Sequence, residues 1–266
     1  MSDSMSNTIS MDPIWEAIRT DAVSWAAEEP ALASYLHATI INHESLQSAL
    51  GYLIATKLDC TALPSLVIRD LANEALESSM DAVRFDLRAV EQRDPACENM
   101  AMALLYFKGF LALQSYRVAN YLWRQNRRPM AYFFQSQISQ KFGVDIHPAA
   151  TIGRGVMFDH ASGIVIGETA VIEDQVSILH SVTLGGTGKV SGDRHPKIRR
   201  GVMIGAGSKV LGNIEVGECA QVAAGSVVLN PVPARAIVAG VPATVRGETT
   251  CTEPALSMKQ LLNPLD

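Results

Sequence analysis

A six-residue spacing of apolar side chains dominates the second half of the chain. Thirteen residues follow this spacing, interrupted by two longer steps, and twelve of them are Ile, Leu or Val. They are Ile146, Ile152, Phe158, Ile166, Ile172, Ile178, Leu184, Ile198, Ile204, Val210, Val216, Val222 and Val228. The period fits neither a helix nor a simple alternating strand. It is typical of a parallel β-helix, in which each hexapeptide forms one side of a triangular coil and its aliphatic residue points to the axis.

The two longer steps predict places where the chain leaves the regular coil. The step after Phe158 is 8 residues and the step after Leu184 is 14 residues, instead of 6 and 12. The longer one holds a polar, glycine-rich segment at 185–197, which we expect to project from the coil. Insertions in solenoids are often where function resides. Each step contains a histidine, His160 in the first and His195 in the second.

The first half of the chain follows helical spacing instead. Asp12 before Pro13 predicts a helix start, with an N-cap followed by proline at the first helical position. An apolar stripe at helical spacing consists of Leu46, Ala49, Leu50, Leu53, Ile54 and Leu58. Proline breaks divide this half into six to eight predicted helices, at Pro30, Pro64, Pro95 and Pro129.

Composition changes abruptly near residue 143. Fifteen of the 16 aromatic residues precede this position, and 17 of the 19 glycines lie within residues 143–247. We therefore expect a helical domain at 1–142, a β-helix at 143–247 and a flexible C-terminal tail at 248–266.

Charge and cysteine content exclude several classes of function. The net charge of -5 argues against nucleic acid as the main ligand, because neutralising phosphates needs a basic excess. Only 18% of residues are charged, which favours burial of part of the surface against further copies of the chain. No apolar run is long enough to span a membrane, and the N-terminus lacks the pattern of a secretory signal. Four scattered cysteines with no CxxC pair predict a reduced, cytoplasmic protein.

Longer strings within the repeats narrow the interpretation to one family. They are VDIHPA (144–149), DHASGIVIGE (159–168), SVTLGGTG (181–188), GDRHPK (192–197) and AGVPA (239–243). Together with the helical first half, they resemble the bacterial serine O-acetyltransferases of the hexapeptide-repeat acyltransferase family. The resemblance implies an α+β chain, with an all-helical N-terminal domain followed by a left-handed parallel β-helix. It also implies acetyl transfer from acetyl-CoA to the hydroxyl of L-serine, the first step of cysteine biosynthesis.

The chemistry needs a base that removes the hydroxyl proton at neutral pH, and histidine is suited to it. The resemblance assigns His160 as the base and Asp145 as the carboxylate that orients it, with His195 as a further catalytic residue. His180 is expected to stack beside His160, one coil away. The solenoid has no closely spaced pair of histidines of the kind that holds zinc, so we expect no metal.

An amino-acid acceptor needs acidic groups for its ammonium and a cationic fork for its carboxylate, which arginine supplies. The resemblance places five residues around serine: Asp94, Asp159, His160, Arg194 and His195. Asp94 comes from the helical domain, so that domain is expected to reach the site. Arg194 and His195 are expected to meet the His160 of a neighbouring chain.

Acetyl-CoA is expected as a co-substrate, with no tightly bound cofactor. Glycines permit close approach of the backbone to the donor, and their N–H groups can face a developing oxyanion. The expected contacts are Gly185, Gly186, Thr187, Ala206, Lys209 and Ala224. The resemblance further implies trimers paired through their helical domains, and inhibition by L-cysteine at the serine site.

Two other interpretations remain open at this point. The same fold could acetylate another hydroxyl, such as that of a sugar, although a neutral sugar gives Arg194 no carboxylate to bind. The chain could also be a non-catalytic assembly scaffold.

Many relatives in the family bind O-acetylserine sulfhydrylase through a terminal isoleucine. The Asp266 terminus here predicts weak binding of that enzyme or none, because burying an extra charge is costly.

Overall fold

The computed structural model describes residues 12–188 and 191–260. The terminal residues on which the expectation about the sulfhydrylase rests, 263–266, lie outside the described residues. Within the described part, the chain is helical as far as Phe142 and then forms a solenoid of short strands.

Eight α-helices make up the first half of the described chain. They are α1 (Pro13–Glu28), α2 (Ala33–Leu36), α3 (Leu46–Leu58), α4 (Ser65–Leu76), α5 (Met80–Arg93), α6 (Met100–Tyr106), α7 (Lys108–Arg124) and α8 (Arg128–Phe142). The predicted start at Asp12 is confirmed, because its side chain accepts the Ile14 N–H at 3.1 Å and caps α1. None of the helices in the described ranges is both long and apolar enough to cross a membrane.

A glycine joins the helices to the solenoid. Gly143 follows α8 with φ of 68°, the left-handed conformation that commonly ends a helix, and strand β1 begins at the next residue. The strands that follow are β1 (Val144–Ile146), β2 (Thr151–Ile152), β3 (Met157–Phe158), β4 (Ile164–Ile166), β5 (Val171–Ile172), β6 (Ser177–Ile178), β7 (Thr183–Gly185), β8 (Lys197–Ile198), β9 (Met203–Ile204), β10 (Lys209–Leu211), β11 (Glu215–Val216), β12 (Gln221–Val222), β13 (Val227–Val228), β14 (Ala236–Gly240) and β15 (Ala243–Glu248).

These strands stack into three sheets, which form the sides of the coil. The first sheet has the order β1-β4-β7-β10-β13, the second β11-β8-β5-β2, and the third β15-β14-β12-β9-β6-β3. All neighbours pair in parallel except β14 with β15, which form an antiparallel hairpin at the end. All thirteen residues of the six-residue repeat are buried. The parallel β-helix predicted from the spacing is therefore confirmed.

A buried ion pair ties the helices to the first coil. The Asp86 carboxylate on α5 is fully buried and accepts hydrogen bonds from Arg117 on α7 at 2.6 Å and from the Val156 N–H at 3.0 Å. Arg117 also donates to the backbone carbonyls of Ile152 and Gly153, at 3.4 and 2.7 Å. One network thus fixes α5 and α7 against the coil.

The C-terminal segment packs against the solenoid, whereas the sequence led us to expect a flexible tail from residue 248. Helix α9 (Pro254–Ser257) lies over the outer face of the third sheet, where Ala255 is fully buried. The Ala255 carbonyl accepts the Ser177 hydroxyl at 2.8 Å, and the Lys259 carbonyl accepts the Gln221 amide at 2.8 Å. These hydrogen bonds and the burial of Ala255 hold the segment against the third sheet.

Candidate active site

Three candidate residues and His180 stack at one corner of the coil, where the third sheet passes to the first. We call this the histidine corner, and it consists of His160, His180, Ala206 and Ala224, one from each successive coil. Backbone hydrogen bonds hold the stack in register, as where the Gly207 N–H donates to the His180 carbonyl at 2.9 Å. The predicted stacking of His180 beside His160 is observed, with ring centroids 5.9 Å apart.

His160 lies in a strained and open part of this corner. Its φ is 55° and that of Ala161 is 59°, so the longer step after β3 is made by two consecutive left-handed residues. The His160 side chain is 77% exposed, and its Nε2 lies 3.8 Å from Oδ1 of Asp159. The imidazole is thus accessible to a molecule that binds at this corner.

A cavity next to the histidine corner joins two candidate carboxylates. Asp94, at the end of α5, and Asp159 both line a space of about 520 Å³, together with Met157, Leu256 and Met258. Burial raises the pKa of Asp159, the nearby His160 lowers it, and the charge of Asp94 raises it further. Two carboxylates beside an imidazole give the cavity the chemistry to hold an ammonium group close to a base.

Sequence reasoning missed the residue that fixes Asp94. Arg93 is 3% exposed and donates to the Val176 carbonyl at 3.3 Å, to the Ser177 hydroxyl at 3.0 Å and to the Gln175 side chain. These contacts pin the end of α5 to β6. The only signal in the sequence was a charged residue directly before Asp94.

Other candidate residues lie at a second corner, where the first sheet passes to the second. We call it the loop corner, and it holds Glu168, Thr169, Arg194 and His195. The Arg194 guanidinium pairs with Glu168 at 2.7 Å. Burial lowers the pKa of His195, and the charge of Arg194 lowers it further. This corner therefore presents a cation and a buried imidazole that favours its neutral form.

Asp145 and His160 are both described, and no hydrogen bond or ion pair joins them within the chain. Asp145 lies on β1, where its Oδ1 accepts the Gln135 amide at 2.8 Å. The Asp159 carboxylate, in contrast, lies 3.8 Å from the His160 ring.

The candidate acetyl-CoA contacts are divided between the two corners. Ala206, Ala224 and Lys209 lie along or beside the histidine corner, where the Lys209 ammonium donates to the Gly207 carbonyl at 2.7 Å. Gly185, Gly186 and Thr187 belong to the loop corner. A Cβ on Gly186 would lie 3.3 Å from Cγ of Arg194, so the loop packs closely there.

The site residues thus form two half-sites on different edges of the same prism. One holds the His160 imidazole, two carboxylates and a line of small residues, and the other holds Arg194, His195 and a glycine-rich loop. A sheet separates the two corners within the chain. In the described ranges, no group of three or more His, Cys, Asp or Glu side chains is arranged to hold a metal ion.

Comparison with known proteins gives two family matches. The family described as "Serine acetyltransferase, N-terminal" matches residues 14–115, and "Bacterial transferase hexapeptide (six repeats)" matches residues 195–230. The chain is 54% identical over 256 residues to a curated serine acetyltransferase of Haemophilus influenzae, covering 95% of this chain and 96% of the relative.

Solved structures of similar proteins include three with ligands. A serine acetyltransferase in complex with cysteine is 55% identical with a TM-score of 0.92, covering 94% of this chain and 98% of the other. A Brucella abortus serine acetyltransferase in complex with coenzyme A is 51% identical with a TM-score of 0.89, covering 91% and 98%. A soybean serine acetyltransferase complexed with serine is 54% identical with a TM-score of 0.85, covering 87% and 97%.

Proposed function

This chain belongs to the serine acetyltransferase family and transfers the acetyl group of acetyl-CoA to the hydroxyl of L-serine, and we propose that His160 is the general base of this reaction. The products are O-acetylserine and coenzyme A, and the reaction is the first step of cysteine biosynthesis. The His160 imidazole takes the hydroxyl proton as the serine oxygen attacks the thioester carbonyl. The tetrahedral intermediate then collapses, the C–S bond breaks, and the protonated His160 gives its proton to the leaving sulfur, so coenzyme A departs as the thiol.

The cavity beside His160 receives the amino-acid end of serine in this proposal. Asp94 and Asp159 face the ammonium group, which offsets the desolvation of Asp159. Arg194 and His195 bind the carboxylate from the loop corner. When serine binds, Arg194 exchanges the carboxylate of Glu168 for the carboxylate of serine. L-cysteine carries the same ammonium and carboxylate, so it competes for the same pocket.

Acetyl-CoA lies along the histidine corner in this proposal. Ala206 and Ala224 leave room beside the stack for an extended arm that ends at His160, and Lys209 supplies a cation on the same edge. Gly185, Gly186 and Thr187 close the opposite side. The coenzyme A complex of the Brucella relative supports this co-substrate. We place the reaction in the cytoplasm, which suits four cysteines that are all free thiols.

One observation carries the proposal that the site is shared between chains: the base and the carboxylate-binding cation lie at different corners of one coil. Copies of the chain bring them together when the histidine corner of one faces the loop corner of the next. Three triangular coils around a threefold axis achieve this arrangement, and trimers pair through the helical domains into a hexamer.

The orienting carboxylate for His160 needs its own test. Asp145 takes this role by the family pattern, while Asp159 is the carboxylate that lies near the ring in the structure. Loss of the orienting carboxylate lowers kcat, whereas loss of an ammonium contact raises the KM for serine. Comparing Asp145→Asn with Asp159→Asn therefore separates the two roles.

Mixed trimers test the shared site. His160→Ala and Arg194→Ala each remove one half-site, so each variant alone is expected to lose most of its serine-dependent release of coenzyme A. When the two are co-expressed, about a quarter of the sites in random trimers are intact, and activity returns. If co-expression restores nothing while both variants form trimers, the half-sites do not meet between chains. Replacing serine by a sugar acceptor in the same assay is expected to abolish thiol release.

A further inference from the structure

Thr169 lies at the loop corner, in the turn between β4 and β5, and its hydroxyl oxygen is hydrogen-bonded to the end of the glycine-rich loop. Oγ1 accepts the backbone N–H of Arg194 at 3.0 Å and that of His195 at 3.1 Å. A threonine hydroxyl has two acceptor lone pairs and one donor hydrogen. Both lone pairs are occupied by these two bonds, so only the O–H remains.

The O–H and the backbone of Thr169 converge on one atom of His195. Oγ1 lies 2.8 Å from Nδ1 of His195, and the Thr169 N–H lies 3.1 Å from the same nitrogen. A backbone N–H can only donate, so the Thr169 N–H fixes the role of Nδ1, whereas the hydroxyl proton also faces the side chain of Asp193, which is hydrogen-bonded to Thr169. Nδ1 is therefore an acceptor, and a neutral imidazole with Nδ1 unprotonated carries its proton on Nε2.

The surroundings of the His195 ring favour this neutral form. The residue is 6% exposed, and burial is the largest cause that lowers the pKa of His195. The charges of Arg194, Lys197 and His147 act in the same direction, and only Glu168 opposes them. In the part of the chain that the structure describes, no protein acceptor is hydrogen-bonded to Nε2.

We propose that Thr169 is a positioning residue that holds His195 neutral with its proton on Nε2, so that this N–H donates to the carboxylate of the amino-acid acceptor beside Arg194. The inference rests on the proposed function. It assigns His195 to binding and orientation of the acceptor, and it leaves His160 as the only base of the site. Thr169 acts through His195 and touches no substrate itself.

Gly167 gives a second, independent way to displace the ring. A Cβ on Gly167 would lie 2.0 Å from both Cδ2 and Nε2 of His195, so a side chain at this position would push the imidazole aside. Gly167 does not have a positive φ, so alanine is compatible with its backbone. Gly167→Ala therefore moves His195 without altering Thr169.

The kinetic test uses Thr169→Val with Thr169→Ser as its rescue and Thr151→Val as its control. Thr151 lies on β2 with an exposed side chain and no hydrogen bond from it in the structure. We expect Thr169→Val to raise the KM for serine and the inhibition constant for cysteine about tenfold. This is the effect of losing roughly one hydrogen bond, the one from Nε2 of His195 to the carboxylate of the amino acid. The KM for acetyl-CoA should stay within about twofold of wild type, and Thr169→Ser and Thr151→Val should resemble wild type.

The spectroscopic test reads the tautomer directly, by NMR of protein labelled with ¹⁵N-histidine. The His195 signal is identified by its loss in His195→Gln. In the wild type we expect Nδ1 unprotonated and Nε2 protonated. In Thr169→Val the ring should take up a second proton at higher pH, because a donor to Nδ1 has been removed. If Thr169→Val does not fold, Gly167→Ala is expected to give the same serine-selective loss, with Gly247→Ala as its control because a Cβ there has nothing within 4 Å.

Several results would overturn the inference. They are a wild-type proton on Nδ1, wild-type kinetics for Thr169→Val, or equal losses for serine and acetyl-CoA in that variant. If the wild-type enzyme shows no serine-dependent release of coenzyme A, the proposed function fails instead. The NMR result still reports the tautomer in that case, so the two failures are distinguishable.

Discussion

Replacing Asp86 by alanine should destabilise the protein by about 3 kcal/mol, because it leaves a buried guanidinium without its carboxylate. Asp86 is fully buried and Arg117 is only 8% exposed, so water does not substitute for the lost partner. Removing one member of a buried pair typically costs about 3–5 kcal/mol. We place the cost at the lower end, because Arg117 keeps the Ile152 and Gly153 carbonyls as acceptors.

A double-mutant cycle isolates the pair from the rest of the network. Arg117→Ala should also cost about 3 kcal/mol, because it leaves the Asp86 carboxylate with only Gln114 and the Val156 N–H. The double variant should then be about 2–3 kcal/mol more stable than the sum of the two single losses predicts. The measurement is urea unfolding followed by circular dichroism, with all variants at one protein concentration because we propose that copies of the chain associate.

The same substitution should affect catalysis, because Asp86 anchors the helix that ends at Asp94. We expect Asp86→Ala to raise the KM for serine more than the KM for acetyl-CoA at a temperature where the protein remains folded. The control is Asp81→Ala, whose carboxylate is 71% exposed and, among the residues that the structure describes, pairs with the exposed Arg154. It should cost well under 1 kcal/mol. Strict additivity in the cycle, or equal losses for Asp86→Ala and Asp81→Ala, would refute the argument.

Four further outcomes follow from individual side chains and from one close approach of α7 to the coil. His160→Ala should lower turnover by about 10²–10⁴-fold with unchanged coenzyme A binding in equilibrium dialysis, and near-normal turnover would exclude it as the base. Arg194→Lys should raise the KM for serine and weaken cysteine inhibition in parallel, since an ammonium cannot replace the fork; equal loss for acetyl-CoA would instead assign Arg194 to loop shape. Gly109→Ala should lower both the thermal midpoint and kcat, because a Cβ there would lie 2.0 Å from the Phe158 carbonyl beside Asp159; an unchanged kcat would contradict this. Ala255→Asp should release the C-terminal segment, because this residue is fully buried, and limited proteolysis should then cut near it; wild-type resistance would show that the segment stays docked.

The sequence was most informative where the structure is locally repetitive. The six-residue period predicts the sheets because each coil repeats the same burial requirement, and every repeat position is buried. The prolines also mark helix boundaries correctly. Pro64 precedes α4, Pro95 follows α5 closely and Pro129 lies in the first turn of α8, since proline lacks the N–H that a helix interior needs.

Sequence reasoning failed where a side chain takes its role from distant partners. Arg93 contacts residues more than 80 positions away, and nothing in its own segment predicts them. The role of Thr169 appears only when the loop folds back across 25 positions to place the Arg194 and His195 N–H groups on its hydroxyl. The docking of the segment at Ala255 was missed because the polar sequence around this residue shows no hydrophobic periodicity. One small residue packed on the third sheet is not enough to produce a recognisable sequence pattern.

The stack at the histidine corner fixes a distance along the axis of the solenoid. Successive coils are one strand spacing apart, about 4.8 Å, so three steps from His160 to Ala224 measure about 14 Å along the axis. Because the rise is set by backbone hydrogen bonds, substitutions on the surface leave this length unchanged. With acetyl-CoA placed along this edge as we propose, inserting or deleting one whole coil between His160 and Ala224 would change the length of donor that the edge accommodates in fixed increments and would leave His160 itself unchanged. In the proposed site, the number of coils thus sets the donor length separately from the residues that carry out the chemistry.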